Sequence, residues 1–406
     1  MEIPTFKDYK EIIVGVYAIA HNEAKFIERW LDSMKEADFI YVCENNHSSD
    51  GTYELFKKHA ETNMKGKLFV DRAEVKPFRF DVARNVGMEM IPTYAEGGPY
   101  LLICTDIDET LEPGWADAFR KAVFKNPLAA KYYYKYAWSH LPSGAPDRVF
   151  WYDKAHLNLD RGWSWEFPCH ETMRYDGDIK YGPSVYIDDG ETIWLHHWPD
   201  NEKSRGSYLG LLELRAKEYP QDSYGIFYLA RELGFANRWE EAMAWYQRLY
   251  CRLHGPNAID DMMMKPMVAL EIARIYDRYK MKEEAEFFFK RAIALDERVM
   301  DSWASYAQWL AYQGRPEESL KILSEGKKKS VPIQDWRTVP ALSSSWKENQ
   351  IIADAMSWFG RYDIAWNVIQ EGLAQIEESN DKTNALYQGF YYDYKFIEAK
   401  VNGGQK

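Results

Sequence analysis

Long apolar runs are missing from this chain of 406 residues. The longest, Ile12 to Ala20, spans nine residues, against the roughly 20 that a membrane-crossing helix requires. No basic N-terminal stretch leading into an apolar segment is seen, so no secretory signal is read and a cytoplasmic location is expected. Cysteine is scarce. Cys43, Cys104, Cys169 and Cys251 form no CxxC pair and no disulfide framework, which fits a reducing compartment. Positive charge is also in deficit, with 51 Lys and Arg against 63 Asp and Glu and a net charge of −12. Most of the imbalance falls in residues 1–200, which hold 23 basic and 33 acidic side chains. That balance argues against a nucleic-acid partner, because phosphate backbones are gripped by clustered Lys and Arg. It favours a carboxylate-lined site where a divalent cation offsets the repulsion.

What the chain does have suffices for packed cores. Hydrophobic residues make up 46% and charged residues 28%, which excludes a disordered or low-complexity chain, and the length suggests two domains or one large one. Residues 1–205 alternate apolar runs with helical patterns: strands at Ile12–Ile19, Phe39–Cys43, Lys67–Val70 and Tyr100–Cys104, helices at Lys25–Met34, to about His59, and at Phe80–Met90. This alternation predicts βαβ units and a mostly parallel sheet, with ligands at the carboxyl ends of the strands. The aromatic stretch Tyr132–Trp138 reads either as a strand with one face lining a site or as one packed on both faces.

Residues 206–406 read as helical. Ala242, Ala285, Ser319 and Ala365 hold the same place in a recurring local pattern, from Asn237-Arg238-Trp239-Glu240-Glu241-Ala242 to Gly360-Arg361-Tyr362-Asp363-Ile364-Ala365. The middle interval is 34 residues, the tetratricopeptide repeat length, and the flanking intervals of 43 and 46 imply insertions. A small residue there lets two helices of a hairpin approach closely, and Tyr276, Tyr306, Trp309 and Trp358 are expected to fill the groove. Such repeats could bind a protein partner or make a homodimer.

The chemistry centres on Asp106-Ile107-Asp108, directly after an apolar strand. Carboxylates at i and i+2 can both reach a loop ligand, one on a nucleotide ribose and the other on a metal. Glu44 ends the second strand, where it could bond a base or sugar, and Arg84-Asn85 could reach a phosphate from a helix.

Taken together the motifs resemble the family 2 glycosyltransferases of GT-A fold. They are Asn22-Glu23 after the first strand, Glu44 with the turn Asn46–Thr52, Phe80 to Arg84-Asn85, Asp106 to Glu109, His170-Glu171 and Leu195-His196-His197-Trp198. The junction Lys203–Tyr228, with Arg205, resembles members that carry tetratricopeptide repeats, among them bacteriocin peptide S-glycosyltransferases; the catalytic part is also similar to lipopolysaccharide-core glucosyltransferases. The resemblance implies a GT-A domain followed by an all-α repeat domain. It implies inverting transfer from a nucleotide sugar, a UDP-sugar above all, with Mn²⁺ or Mg²⁺, to a hydroxyl or thiol on a glycan, lipid or polypeptide. Asp108 and His196 then become the metal ligands, with His197 as the fallback. Asp106, Arg84 and Glu44 become donor-binding residues.

The acceptor needs a base, and Glu171 is the candidate, with Glu166 its competitor. The tryptophans flanking Glu171 are expected to raise its pKa by desolvation. A nucleotidyltransferase is the competing enzyme class. It would need a Gly-rich basic loop after the first strand, where the chain has Ala18-Ile19-Ala20-His21-Asn22-Glu23. A third reading assigns the function to the repeats alone.

Overall fold

The computed structural model describes residues 5–403, apart from 141–143, 145, 147–148, 189–191, 200–207, 256–263, 331–344 and 380–384. Lys203 and Arg205 of the junction therefore lie outside the described residues. The chain forms two compact units, residues 1–139 with 148–218, and residues 140–147 with 219–406.

The first unit is built on strands β1 (Val14–Ala20), β2 (Phe39–Asn45), β3 (Leu68–Ala73) and β4 (Leu101–Cys104). Their β-branched and apolar runs pair in parallel, β3-β2-β1-β4, with Gly15 opposite Leu102. A Cβ on Gly15 would come within 2.8 Å of both Pro99 and Leu102, so only glycine admits this close packing. The rest of the sheet departs from the mostly parallel expectation. Beyond β4 come β7 (Val149–Leu157), β6 (Lys131–Ala137), β11 (Trp194–His197) and β5 (Glu109–Leu111). In this half β7 runs antiparallel to both β4 and β6, β11 is parallel to β6, and β5 is antiparallel to β11. A short strand β10 (Val185–Tyr186) also pairs with β6, and β8 (Trp163–Glu166) forms a separate ribbon with β9 (Thr172–Tyr175).

Alternation along the strands sorts two cores. Val14, Val16, Ala18, Ile40 and Val42 pack with Ile27, Trp30 and Leu31 of helix α1 (Ile27–Met34). The same core holds Phe56 of α2 (Thr52–Glu61) and Phe119 of α4 (Trp115–Lys125). Tyr17, Tyr41, Cys43, Leu102 and Cys104 pack instead with Val86 and Met88 of α3 (Phe80–Glu89) and with Trp163 and Trp165. In β6, Tyr132, Tyr134 and Tyr136 are buried while Tyr133 and Lys135 are less so, the pattern of a strand with two unlike faces. The last helix of this unit, α5 (Tyr208–Glu218), belongs with the sheet. Strand order reverses at β1, with β2 on one side and β4 on the other, and ligands bind at the carboxyl ends of strands flanking such a switch point. Asp106 lies there, two residues beyond β4.

The second unit is helical. Its hairpins are α6 (Ser223–Phe235) with α7 (Trp239–His254), and α8 (Met264–Arg278) with α9 (Lys282–Leu295). Then come α10 (Met300–Tyr312) with α11 (Pro316–Lys329), and α12 (Ser345–Trp358) with α13 (Tyr362–Ser379), before a final α14 (Ala385–Gly403). Ala242, Ala285, Ser319 and Ala365 all lie in the first turn of a hairpin's second helix and are fully buried. Each hairpin turns through one left-handed residue, at Asn237, Lys280, Gly314 and Gly360, with φ between 61 and 74°. The following N–H bonds five residues back in every case (Arg238 to Leu233, Met281 to Tyr276, Arg315 to Leu310, Arg361 to Met356), a Schellman closure of the helix end. Tyr306 and Trp309 fill the groove as expected, but Trp358 is 59% exposed, its indole lying beside Gly314.

Candidate active site

The carboxyl ends of β1 and β2 lead into turns that fasten to each other. Asn22 Oδ1 accepts from the Ser49 N–H at 2.8 Å, Asp50 Oδ2 from the Ala24 N–H at 2.9 Å, and the Thr52 hydroxyl from the Glu23 N–H at 2.7 Å. Glu44 is spent inside this framework. It is fully buried, accepts from the Ser48 N–H, and takes Arg72 Nε at 2.6 Å. Burial alone would raise its pKa; the Ser48 and Arg72 contacts overcome that and hold the carboxyl below its ordinary range. Both oxygens are thus engaged by the protein, against the expectation that this carboxylate reads a base or sugar.

Arg84, on α3 beneath the loop after β4, gathers the acidic residues. Its Nη2 donates to Asp106 Oδ1 at 2.7 Å, its Nε to Glu171 Oε1 at 2.5 Å and its Nη1 to Cys104 Sγ at 3.0 Å. Arg84 is only 2% exposed, and its guanidinium lies 5.2 Å from the Trp165 ring centre. Each nitrogen makes one of these bonds, so Arg84 orders the loop from a nearly buried position. Asp81, the other carboxylate within its reach on the helix, pairs with Arg79 at 2.8 Å.

Sequence reasoning missed Lys154, which enters from β7 with its ammonium 3.8 Å from Asp106 Oδ2. No motif marks it, and only the antiparallel pairing of β7 with β4 brings it here. Burial pushes the Asp106 carboxyl up, but Arg84 and Lys154 outweigh it and hold its pKa far below the usual range. The same competition leaves Glu171 lowered, against the rise expected from its tryptophans. Glu109 takes the opposite course: burial and the neighbouring Asp106 charge push its pKa up, while its Oε2 accepts the Asp106 N–H at 2.8 Å.

Arg215 was also missed. From α5 it donates to the Cys169 and His170 carbonyls, each at 2.8 Å, and stacks 3.8 Å over Phe167. Phe167 and His170 have φ of 81° and 50°, so Arg215 clamps a strained loop that delivers Glu171. Asn85 secures the same ribbon through two bonds to the Trp165 backbone, at 2.7 and 2.8 Å. Glu166, the competing base, pairs with the exposed Arg174 at 3.2 Å.

The two histidines separate by strand alternation. Pairing of His197 with Glu109 in the β11–β5 register sets His197 beside the acidic loop, with Nε2 at 3.5 Å from Asp108 Oδ2. Burial lowers the His197 pKa and the Asp108 carboxylate more than reverses it, for a net rise. His196 is directed elsewhere, with Nε2 at 2.8 Å from Glu112 Oε1. Arg29 stacks 5.6 Å from the Trp198 ring; burial lowers its pKa and the Asp108 charge opposes that.

Among the described residues no group of three His, Cys, Asp or Glu side chains gathers as a metal cage. Asp108 and His197 offer a carboxylate and an imidazole side by side. The carboxylate suits Mg²⁺ or Mn²⁺, whereas the imidazole fits the transition-metal ion better than Mg²⁺; water or phosphate oxygens would complete the shell.

No family model matches the chain, and no curated protein matches it. Solved structures similar to it include tetratricopeptide-repeat proteins. A thermophilic TPR protein of Thermus thermophilus, TTC0263, is 20% identical over 47% of this chain and 88% of its own, with a TM-score of 0.33. YrrB, a TPR protein with an unusual peptide-binding site, is 13% identical over 48% of this chain and 98% of its own, at 0.31. MamA is 13% identical over 44% of this chain and 87% of its own, also at 0.31. At these scores the likeness identifies no function.

Proposed function

We propose that the sheet unit is an inverting, metal-dependent glycosyltransferase that moves a sugar from a nucleotide sugar, a UDP-sugar above all, to a hydroxyl or thiol acceptor. One observation carries the reading. A single buried guanidinium, Arg84, binds both Asp106 of the acidic loop and Glu171, residues from distant parts of the chain, at the carboxyl end of β4. The adjacent Asp108–His197 pair supports it further.

In this mechanism Asp108 and His197 hold the cation, so the ligand role moves from His196 to its neighbour. A bound divalent ion would neutralise charge developing on the departing diphosphate. Asp106, 39% exposed at its side chain and fixed by Arg84, keeps lone pairs available to a ribose hydroxyl. Glu171, kept ionised by Arg84, accepts the acceptor's proton as the new bond forms at the anomeric carbon and the bond to diphosphate breaks. The helical hairpins would present the acceptor or bind a protein partner.

The test is thermal unfolding with UDP, UDP-sugars and nucleoside triphosphates, each with and without Mn²⁺. A ligand at 100 times its dissociation constant stabilises the folded state by about 2.7 kcal/mol. A Mn²⁺-dependent shift with UDP or a UDP-sugar, abolished by Asp108→Asn, is the expected result. Glu171→Gln should keep that shift and lose turnover. A response to triphosphates alone would favour a nucleotidyltransferase. No response at all would leave a repeat-based interaction protein, a reading that the ion pairing of Asp106 and Glu171 within the protein also accommodates.

A further inference from the structure

The most unusual group in the site is one that the mechanism above does not use. The Lys154 side chain is 10% exposed, yet its ammonium makes no hydrogen bond among the described residues; the nearest carboxylate oxygen, on Asp106, is 3.8 Å away. A hydrogen bond from nitrogen to oxygen spans about 2.7–3.2 Å, so the ammonium's N–H donors stand unspent. The ammonium lies 4.8 Å from the Tyr152 ring centre and 5.8 Å from that of Trp165. Two aromatic rings and an unsatisfied donor thus adjoin Asp106. Burying such a cation without hydrogen bonds is costly, and a ligand that supplies oxygen acceptors removes the cost.

Charge decides which oxygens. Arg84 and Lys154 bring two positive charges, and Asp106 and Glu171 bring two negative ones. Beside them Asp108 and Glu109 add two carboxyl groups and His197 one imidazole, so the protein side chains here hold no surplus cation for an added carboxylate or phosphate, whereas neutral hydroxyls need none. Resting on the transferase reading, we propose that Lys154 binds hydroxyls of the transferred sugar and that this sugar is uncharged.

The experiment is calorimetric titration of the full chain, with Mn²⁺, using UDP, UDP-glucose, UDP-galactose, UDP-N-acetylglucosamine and UDP-glucuronic acid. For wild type, the tightest UDP-sugar should be a neutral one. Lys154→Met, which keeps the aliphatic stem, should weaken that sugar about tenfold more than it weakens UDP, as expected for losing a hydrogen bond from a charged donor. Should Lys154→Met fail to fold, Lys154→Arg keeps the charge and should reorder the neutral sugars while UDP affinity stays the same. Equal weakening of UDP and the UDP-sugar would make Lys154 a nucleotide contact and overturn the assignment. So would tightest binding of UDP-glucuronic acid, or a Lys154→Arg variant with unaltered sugar ranking. Absence of UDP binding in wild type would instead overturn the transferase reading itself, and this assignment with it, so the two failures are told apart.

Discussion

A cation buried between two acids is tolerable only while both acids are there. Removing Arg84 would strip the nearly buried Glu171 of its ion partner and leave it facing the part-exposed Asp106, with Lys154 beside them. Arg84→Met should therefore destabilise the sheet unit by about 3–5 kcal/mol, the range for breaking a buried pair from one side; urea unfolding measures it. His156 gives a separate handle on pH. It is 1% exposed, its Nδ1–H donates to the Leu157 carbonyl, and Nε2 has no hydrogen-bond partner among the described residues. Burial drops its pKa from 6.5 to about 3. The folded state then binds fewer protons than the unfolded state between those values, so this group's contribution is present above pH 6.5 and lost as pH falls. The loss is about 1.4 kcal/mol per pH unit. His156→Phe, which retains a ring against Tyr17 and Trp163, should flatten the decline in melting temperature between about pH 6.5 and 4.

At the scale of elements, the four hairpin turns demand a left-handed residue, and the chain meets that demand unevenly. Lys280 adopts φ 62° with a side chain that disfavours it, whereas Gly360 adopts φ 70° with open space around its Cα. Lys280→Gly should stabilise the helical unit by up to about 1 kcal/mol and Gly360→Ala should destabilise it by about as much, read from thermal melts. These turns were legible in the sequence because each repeat spells the same local pattern, and close packing at Ala242, Ala285, Ser319 and Ala365 follows directly from it. Trp358 was misjudged because residue type alone does not tell which side of a helix meets a neighbour. In the sheet unit the parallel strands were legible from their β-branched runs. The places of β5, β7 and β11 were not, since antiparallel additions depend on pairings between distant segments. Lys154 and Arg215 were invisible for that reason. Each is a lone cation in no motif, brought to the site by a strand pairing or by a helix well downstream of Glu171. That His197 and not His196 stands beside Asp108 likewise waited on register.

Across the whole molecule, charge is the property that composition predicts without a fold. At −12, with 33 acidic against 23 basic side chains in residues 1–200, the chain carries a surplus of negative charge. Micromolar protein should leave the electrophoretic mobility of duplex DNA and of single-stranded RNA unchanged even in about 50 mM salt, where phosphate binding is strong.

The guanidinium of Arg84 also has a bearing on descent. Because one side chain serves two acids, Arg84, Asp106 and Glu171 form a single heritable unit. A lineage that gave up catalysis could shed Asp108 or His197 one at a time at little structural cost. It could not drop Arg84 alone without stranding the nearly buried Glu171 and releasing Asp106. On the transferase proposal, inactive descendants of such a chain should lose Asp108 and His197 early and replace the arginine and its two acids together, so that the order of losses in a set of relatives would date when that chemistry was abandoned.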